Sequence, residues 1–140
     1  MLYILDTDHI SLLQRQHPYV VMNLNRIAID QRAVTAISLA EQTQGRLASI
    51  HRAKTEAEAS LAFRYLIQTV EFYRTLQILP YADDSVAEFA RLRQQKIRIG
   101  TQDLRIAATA LSNSAIVITR NTRDFGQVPG LTVMDWSAIG

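Results

Sequence analysis

The sequence predicts an α/β protein, a three-layer α/β/α sandwich around a central, mainly parallel sheet of about five strands. Three observations carry that prediction. Short apolar runs alternate along the chain with longer stretches of helical periodicity, the arrangement that builds parallel sheets through helical crossovers. The first of these runs, Leu2-Tyr3-Ile4-Leu5, ends abruptly in Asp6, Thr7 and Asp8, as a buried strand does on reaching the carboxyl edge of such a sheet. No repeat, linker or low-complexity tract divides the 140 residues, so residues 1–140 are expected to form one domain, long enough to bury a real core.

After the first strand, residues from about Asp8 to Gln16 are expected to form a short helix, with Asp8 as its N-cap and Pro18 as its stop. A second helix should run to about Ile29, and Ala33 to Ala36 is a short strand candidate. Ser38 then opens a helix. Ser38-Leu39-Ala40-Glu41 has the spacing of a capping box, in which serine and glutamate each satisfy the other's backbone amide. The stretch from Lys54 to Leu76 lacks Gly and Pro and spreads Ala57, Leu61, Phe63, Tyr65, Leu66, Val70, Phe72 and Tyr73 over more than one face. It predicts a long helix or helical hairpin whose aromatics serve the core or a dimer contact.

Gln77 to Tyr81 is the third strand, closed by Pro80, and Asp83-Asp84-Ser85 caps a helix running to about Lys96. Gly100 breaks that pattern. Thr101-Gln102-Asp103 starts the next helix, with Leu104, Ala107, Ala108 and Leu111 on its buried side and its end at Asn113. Ala115 to Thr119 is the clearest strand in the chain. Arg120 to Phe125 is a polar turn after it, and Val128-Pro129-Gly130 leads to a last strand from Leu131 to Met134.

Composition removes several kinds of chemistry. With no cysteine there are no disulfides, thiolate nucleophiles or Cys-ligated zinc. His9, His17 and His51 lack the i, i+4 spacing of a helical zinc site, so any metal is held by oxygen. Fifteen Lys and Arg against 13 Asp and Glu give a net charge of +2, which permits a nucleic-acid partner without requiring one. No run approaches the roughly 18 apolar residues of a membrane span, and Asp6 interrupts the start too early for a secretory signal. The expectation is a soluble, cytoplasmic protein.

Right-handed crossovers bring several acids to one edge of the predicted sheet. Asp6 follows the first strand, Glu41 lies in the first turn of the helix after the second, Asp103 opens the helix before the fourth, and Asn121 and Asp124 follow the fourth. Carboxylates gathered without counter-charge repel one another, so such a cluster calls for a cation. Hard divalent ions such as Mg²⁺ or Mn²⁺ take oxygen ligands and leave positions for a phosphate, which points to phosphodiester hydrolysis.

The motifs are those of a known family. Leu5-Asp6-Thr7-Asp8, Ser38-x-x-Glu41, Gly100-x-x-Asp103-x-x-Ile106-Ala107-Ala108-x-Ala110-Leu111, Thr119-Arg120-Asn121-x-x-Asp124-Phe125, Val128-Pro129-Gly130-Leu131 and Asp135-Trp136 resemble the PIN-domain ribonucleases of the VapC toxin type, in order and along the whole chain. The resemblance implies a metal-dependent endoribonuclease using Mg²⁺ or Mn²⁺ that cuts tRNA or ribosomal RNA loops. It also implies a VapB-type antitoxin that silences the enzyme, and a homodimer. Asp6, Glu41 and Asp103 match the family's three most dependable acidic positions. Many PIN domains have an Asp where this chain has Asn121, so the fourth position falls to Asn121, a neutral oxygen donor, or to Asp124. The expected catalytic set is therefore Asp6, Glu41, Asp103 and Asp124, with Asn121 added as a metal ligand.

Each position has a plainer role beside this one. Glu41 can be only the partner of Ser38, Asp103 can simply favour a helix N-terminus, and His9 can be a structural histidine beside a helix start. Arg120 and Arg123 can grip phosphates or pair with local acids, and Arg91, Arg93, Lys96 and Arg98 can form a solvated face or an RNA track. Two other functions compete. Asp6-Thr7-Asp8 also looks like the start of a haloacid-dehalogenase-like phosphatase, with Asp6 as nucleophile and Asp8 as general acid, although that chemistry also needs a later Lys and acidic pair, and here Lys96 follows Asp83-Asp84 in the wrong order. The other is a non-catalytic RNA-binding PIN module.

Overall fold

The computed structural model describes residues 1–138. Five strands and seven α-helices alternate along them: β1 Tyr3–Leu5, α1 Thr7–Gln14, α2 Pro18–Asn25, β2 Arg32–Thr35, α3 Ala36–Arg52, α4 Glu56–Tyr73, β3 Gln77–Leu79, α5 Asp83–Gln94, α6 Thr101–Ser112, β4 Ile116–Ile118, α7 Thr122–Phe125 and β5 Val133–Met134. The strands lie in the order β3-β2-β1-β4-β5 and every pairing is parallel. The chain therefore winds outward from β1 in one direction and returns to continue in the other. Strand order reverses between β1 and β4, and the crevice beyond their carboxyl ends is where this architecture places ligands.

Alternate residues of each strand feed two cores, as a period of two requires. Ile4, Ala33 and Val117 pack with Ile37, Leu92, Leu104, Ala107, Ala108 and Phe125 on one face, against α5, α6 and α7. Leu5, Val34 and Ile118 pack on the other face with Ile10, Leu13, Val20, Leu24, Tyr73 and Trp136. Small residues let α6 approach closely, and Ala107, Ala108 and Ala110 are fully buried in it. Its buried side is wider than the pattern predicts, because Ile106, Thr109 and Ala110 join it while Leu111 is only half-buried.

The helix starts differ from the sequence expectations. Asp6, rather than Asp8, caps α1, its side chain accepting the His9 amide. Thr35, rather than Ser38, caps α3, its hydroxyl accepting the Ser38 amide, so no capping box joins Ser38 to Glu41. In both cases strand runs into helix with no loop, and the last extended residue has the backbone geometry an N-cap needs. Pro18 does not stop α1, which ends at Gln14; it sits in the first turn of α2, where its missing amide costs nothing. That helix closes at Asn25, short of Ile29. Asp83 and Asp84 lie in the first turn of α5, capped at Ala82 without a side-chain bond. β2 sits one residue earlier than expected, β3 and β5 are shorter, and the polar turn after β4 contains the one-turn helix α7.

The stretch from Lys54 onward forms one helix, not a hairpin. Of α4 only Ala62, Thr69 and Tyr73 are buried, while Leu61, Phe63, Tyr65, Ile67 and Val70 are exposed. Core packing thus explains Tyr73 and not Phe63 or Tyr65. Among the described residues no helix is long and apolar enough to cross a membrane.

Candidate active site

Asp6 directly follows β1 at the sheet's switch point and is buried, and its carboxylate is fixed at both oxygens. Oδ1 accepts the His9 amide at 2.9 Å and Oδ2 accepts the Thr119 hydroxyl at 2.5 Å. Its own amide donates to the carbonyl of Ile118 at 3.0 Å, continuing the β1–β4 ladder by one step. Thr119, fully buried just after β4, also accepts the Asn121 amide at 2.9 Å. One hydroxyl thus links the ends of two central strands.

Asn121 is the N-cap of α7. Its side-chain oxygen accepts the Asp124 amide at 3.4 Å, and its Nδ2 donates to Asp124 Oδ2 at 3.0 Å. A side-chain amide that donates to a carboxylate fixes that carboxylate's orientation. The two residues stand at positions three apart on a turn, so both face the same side.

Glu41 lies in the second turn of α3 and is half-buried. The Thr7 hydroxyl, one residue beyond Asp6, donates to its Oε1 at 2.9 Å and lies 3.0 Å from Ser38 Oγ. Asp103 is half-buried in the first turn of α6. Burial pushes its carboxyl above the ordinary carboxylate range, and the negative charges of Asp6, Glu41 and Asp124 push it further in the same direction. All four expected acids therefore act on one region. The donors are oxygens, their charges repel, and a hard divalent ion fits that set.

Asp6, Asp8 and His9 form a tighter group, with candidate ligand atoms within 4.8 Å of one another. Asp8, however, is held in the fork of Arg120, Nε to Oδ2 at 2.6 Å and Nη2 to Oδ1 at 2.8 Å. That bond holds the Asp8 carboxyl below its usual range and raises Arg120. A carboxylate so paired is poorly suited to act as a general acid, which removes the support for the phosphatase reading. His9 is fully buried with its Nε2 accepting the Trp136 amide at 3.2 Å. Arg123 and the group Arg91, Arg93, Lys96 and Arg98 are exposed, Arg91 bonding Glu88. Sequence reasoning missed Thr119 as the hydroxyl that fixes Asp6; its position at the end of the clearest strand was the available signal.

A PIN domain profile matches residues 3–131. The chain belongs to the PIN-domain family. A VapC ribonuclease from Rickettsia bellii is 31% identical over a match covering 75% of this chain and 76% of that protein, which places the chain with the VapC ribonucleases. A tRNA(fMet)-specific endonuclease VapC from Salmonella typhimurium is 27% identical over 96% of this chain and 97% of its own length. Among solved structures, DNA-bound VapBC from Salmonella typhimurium superposes with a TM-score of 0.78 at 25% identity, covering 97% of this chain and 99% of that one. PIN-domain membership thus agrees with the fold and with the motif order read from the sequence.

Proposed function

We propose that this PIN domain is a divalent-metal-dependent endoribonuclease and the toxin half of a VapBC-type pair. Asp6, Glu41, Asp103 and Asp124 are its catalytic carboxylates, and Asn121 is a further oxygen donor. The observation that carries this reading is the set of hydrogen bonds that gathers the acids at the carboxyl edge of the sheet: Thr119 joins Asp6 to the Asn121–Asp124 turn, Thr7 beside Asp6 holds Glu41, and the charges of all three acids raise Asp103. Likeness to the VapC ribonucleases supplies the substrate class, RNA.

In this reading Mg²⁺ or Mn²⁺, when bound, acidifies a water for in-line attack and neutralises charge on the phosphate. The chain's own work is placement. Thr119 keeps Asp6 from rotating, Asn121 does the same for Asp124, and Thr7 does so for Glu41. No side-chain nucleophile is needed. Arg120, held at the rim by Asp8, and exposed Arg123 are suited to bind RNA phosphates beside the scissile one. The targets are loops of tRNA or ribosomal RNA.

A VapB-type antitoxin restrains the enzyme by placing an Arg or Lys near Asp6 and Asp103, where it competes with the ion. The exposed apolar residues of α4 suit a protein interface, and a homodimer follows the family pattern. Total RNA incubated with purified protein tests the reading. New RNA ends should form with Mg²⁺ or Mn²⁺, and none with EDTA or with folded Asp103→Asn protein. Undiminished cleavage by Asp103→Asn would overturn it.

A further inference from the structure

His9 is fully buried, and its two ring nitrogens have different surroundings. Nε2 accepts the backbone N–H of Trp136 at 3.2 Å, which requires a lone pair there and leaves the ring hydrogen on Nδ1. An imidazolium, or the opposite tautomer, would set two N–H groups against each other. Asp135 Oδ1 also lies 3.5 Å from Nε2, but that oxygen already accepts the Ser137 amide at 2.8 Å and hydroxyl at 2.6 Å. The hydrogen on Nδ1 has no partner at hydrogen-bond distance. Asp6 Oδ1 lies 3.7 Å away. With Nε2 engaged and Nδ1 protonated, His9 offers no lone pair to an ion, so it is not a ligand despite lying beside two acids.

We propose that His9 is a positioning residue for Asp6, joining the Asp135–Trp136 turn after β5 to the metal site. The proposal rests on the metal-site reading above. The His9 amide donates to Asp6 Oδ1 and the ring Nδ1 lies 3.7 Å from the same oxygen, while Thr119 binds Oδ2, so the carboxylate is flanked from behind on both sides. An approach of about 0.7 Å brings Nδ1 within ordinary hydrogen-bond length. Such outer partners orient a ligand and raise its affinity for metal. The far end of the device is firm: Trp136 is buried, and its ring lies 5.6 Å from that of Tyr3 on β1.

Two variants separate the two ends of the ring. Asparagine places an amide where Nδ1 lies, and glutamine places one where Nε2 lies. His9→Gln should keep the Trp136 anchor, and with it the melting temperature in EDTA and the emission of the chain's single tryptophan, while Mn²⁺ affinity falls about 10- to 100-fold. His9→Asn should keep Mn²⁺ affinity close to wild type while losing thermal stability and shifting the tryptophan emission to the red. A purely structural histidine gives the reverse order, with affinity following stability. Calorimetric Mn²⁺ titration and melting curves read both, and nitrogen-15 shifts of the wild-type ring give the tautomer directly, without any substitution. Unchanged Mn²⁺ affinity in His9→Gln, or a ring hydrogen on Nε2, overturns the proposal and leaves the ribonuclease reading standing. Wild-type protein that binds no Mn²⁺ and cuts no RNA overturns both.

Discussion

Asp103 allows the repulsion at the sheet edge to be measured. Its carboxyl is held above the ordinary range by burial and by the charges of Asp6, Glu41 and Asp124, so at neutral pH the native state carries a cost that the unfolded chain largely escapes. A carboxylate whose folded value is raised binds protons more readily folded than unfolded. Its ionisation therefore lowers stability as pH rises from the unfolded value through the folded one, and the full cost remains above that window. Asp103→Asn should accordingly raise the melting temperature in EDTA at neutral pH. The gain should shrink as pH falls below the ordinary carboxylate range, where protonated acid and amide carry the same charge. Metal should offset the same cost in the wild type. At about 100 times the dissociation constant, linkage adds roughly 2.7 kcal/mol. With an unfolding entropy of about 0.3 kcal/mol/K for a chain of 140 residues, that is a rise of about 9 °C. The assay is thermal denaturation followed by circular dichroism, in EDTA and in Mn²⁺, for both proteins. An Asp103→Asn variant that is no more stable than wild type in EDTA, with a difference independent of pH, would refute the argument from repulsion.

Thr119→Val removes the hydroxyl that serves Asp6 and the Asn121 amide; a bond to a charged group contributes about 1.5 to 3 kcal/mol, so denaturant titration should show a loss of that order together with weaker Mn²⁺ binding. Thr35→Ala should cost about 1 kcal/mol as a lost cap of α3, whereas Ser38→Ala, which removes no cap, should cost less in the same titration. Glu41→Gln should leave the melting temperature in EDTA near wild type or above it and abolish RNA cleavage, because Glu41 has no capping duty to lose. Calorimetry should show Asp124→Asn weakening Mn²⁺ binding more than Asn121→Ala does, since only the first removes a charge.

The parts of the fold legible in the sequence are those set by strong periodicity. Ile116-Val117-Ile118 could hardly be anything but a strand, and its parallel pairing with β1 follows from the helices between them. The exchanged caps were not legible, because whether Asp6 or Asp8, Thr35 or Ser38, holds the first amide depends on where the strand stops, and a strand end is set by its neighbours. Topology alone sends Asp6, Glu41, Asp103 and Asp124 to the carboxyl edge of the sheet. The partners that hold them, Thr119 for Asp6 and Thr7 for Glu41, are separated from them by 113 and 34 residues and become visible only once the sheet is closed.

The displaced caps bear directly on function. The plainest account of Glu41 was that it answers Ser38 across a capping box, and the structure gives that place to Ser38 itself, in the third position after Thr35. Glu41 is left with the neutral Thr7 hydroxyl as its bonded partner, which orients a carboxylate without balancing its charge. Asp8 on α1 shows the contrast, where a charge at the rim is matched by Arg120. Around the crevice the side-chain hydrogen bonds come from Thr7, Thr119 and Asn121, all neutral, and among the described residues no Lys or Arg meets Asp6, Glu41, Asp103 or Asp124 within salt-bridge distance. Neutral donors fix geometry and leave charge unspent, which is the condition under which carboxylates compete for a divalent ion or for an inhibitor's guanidinium.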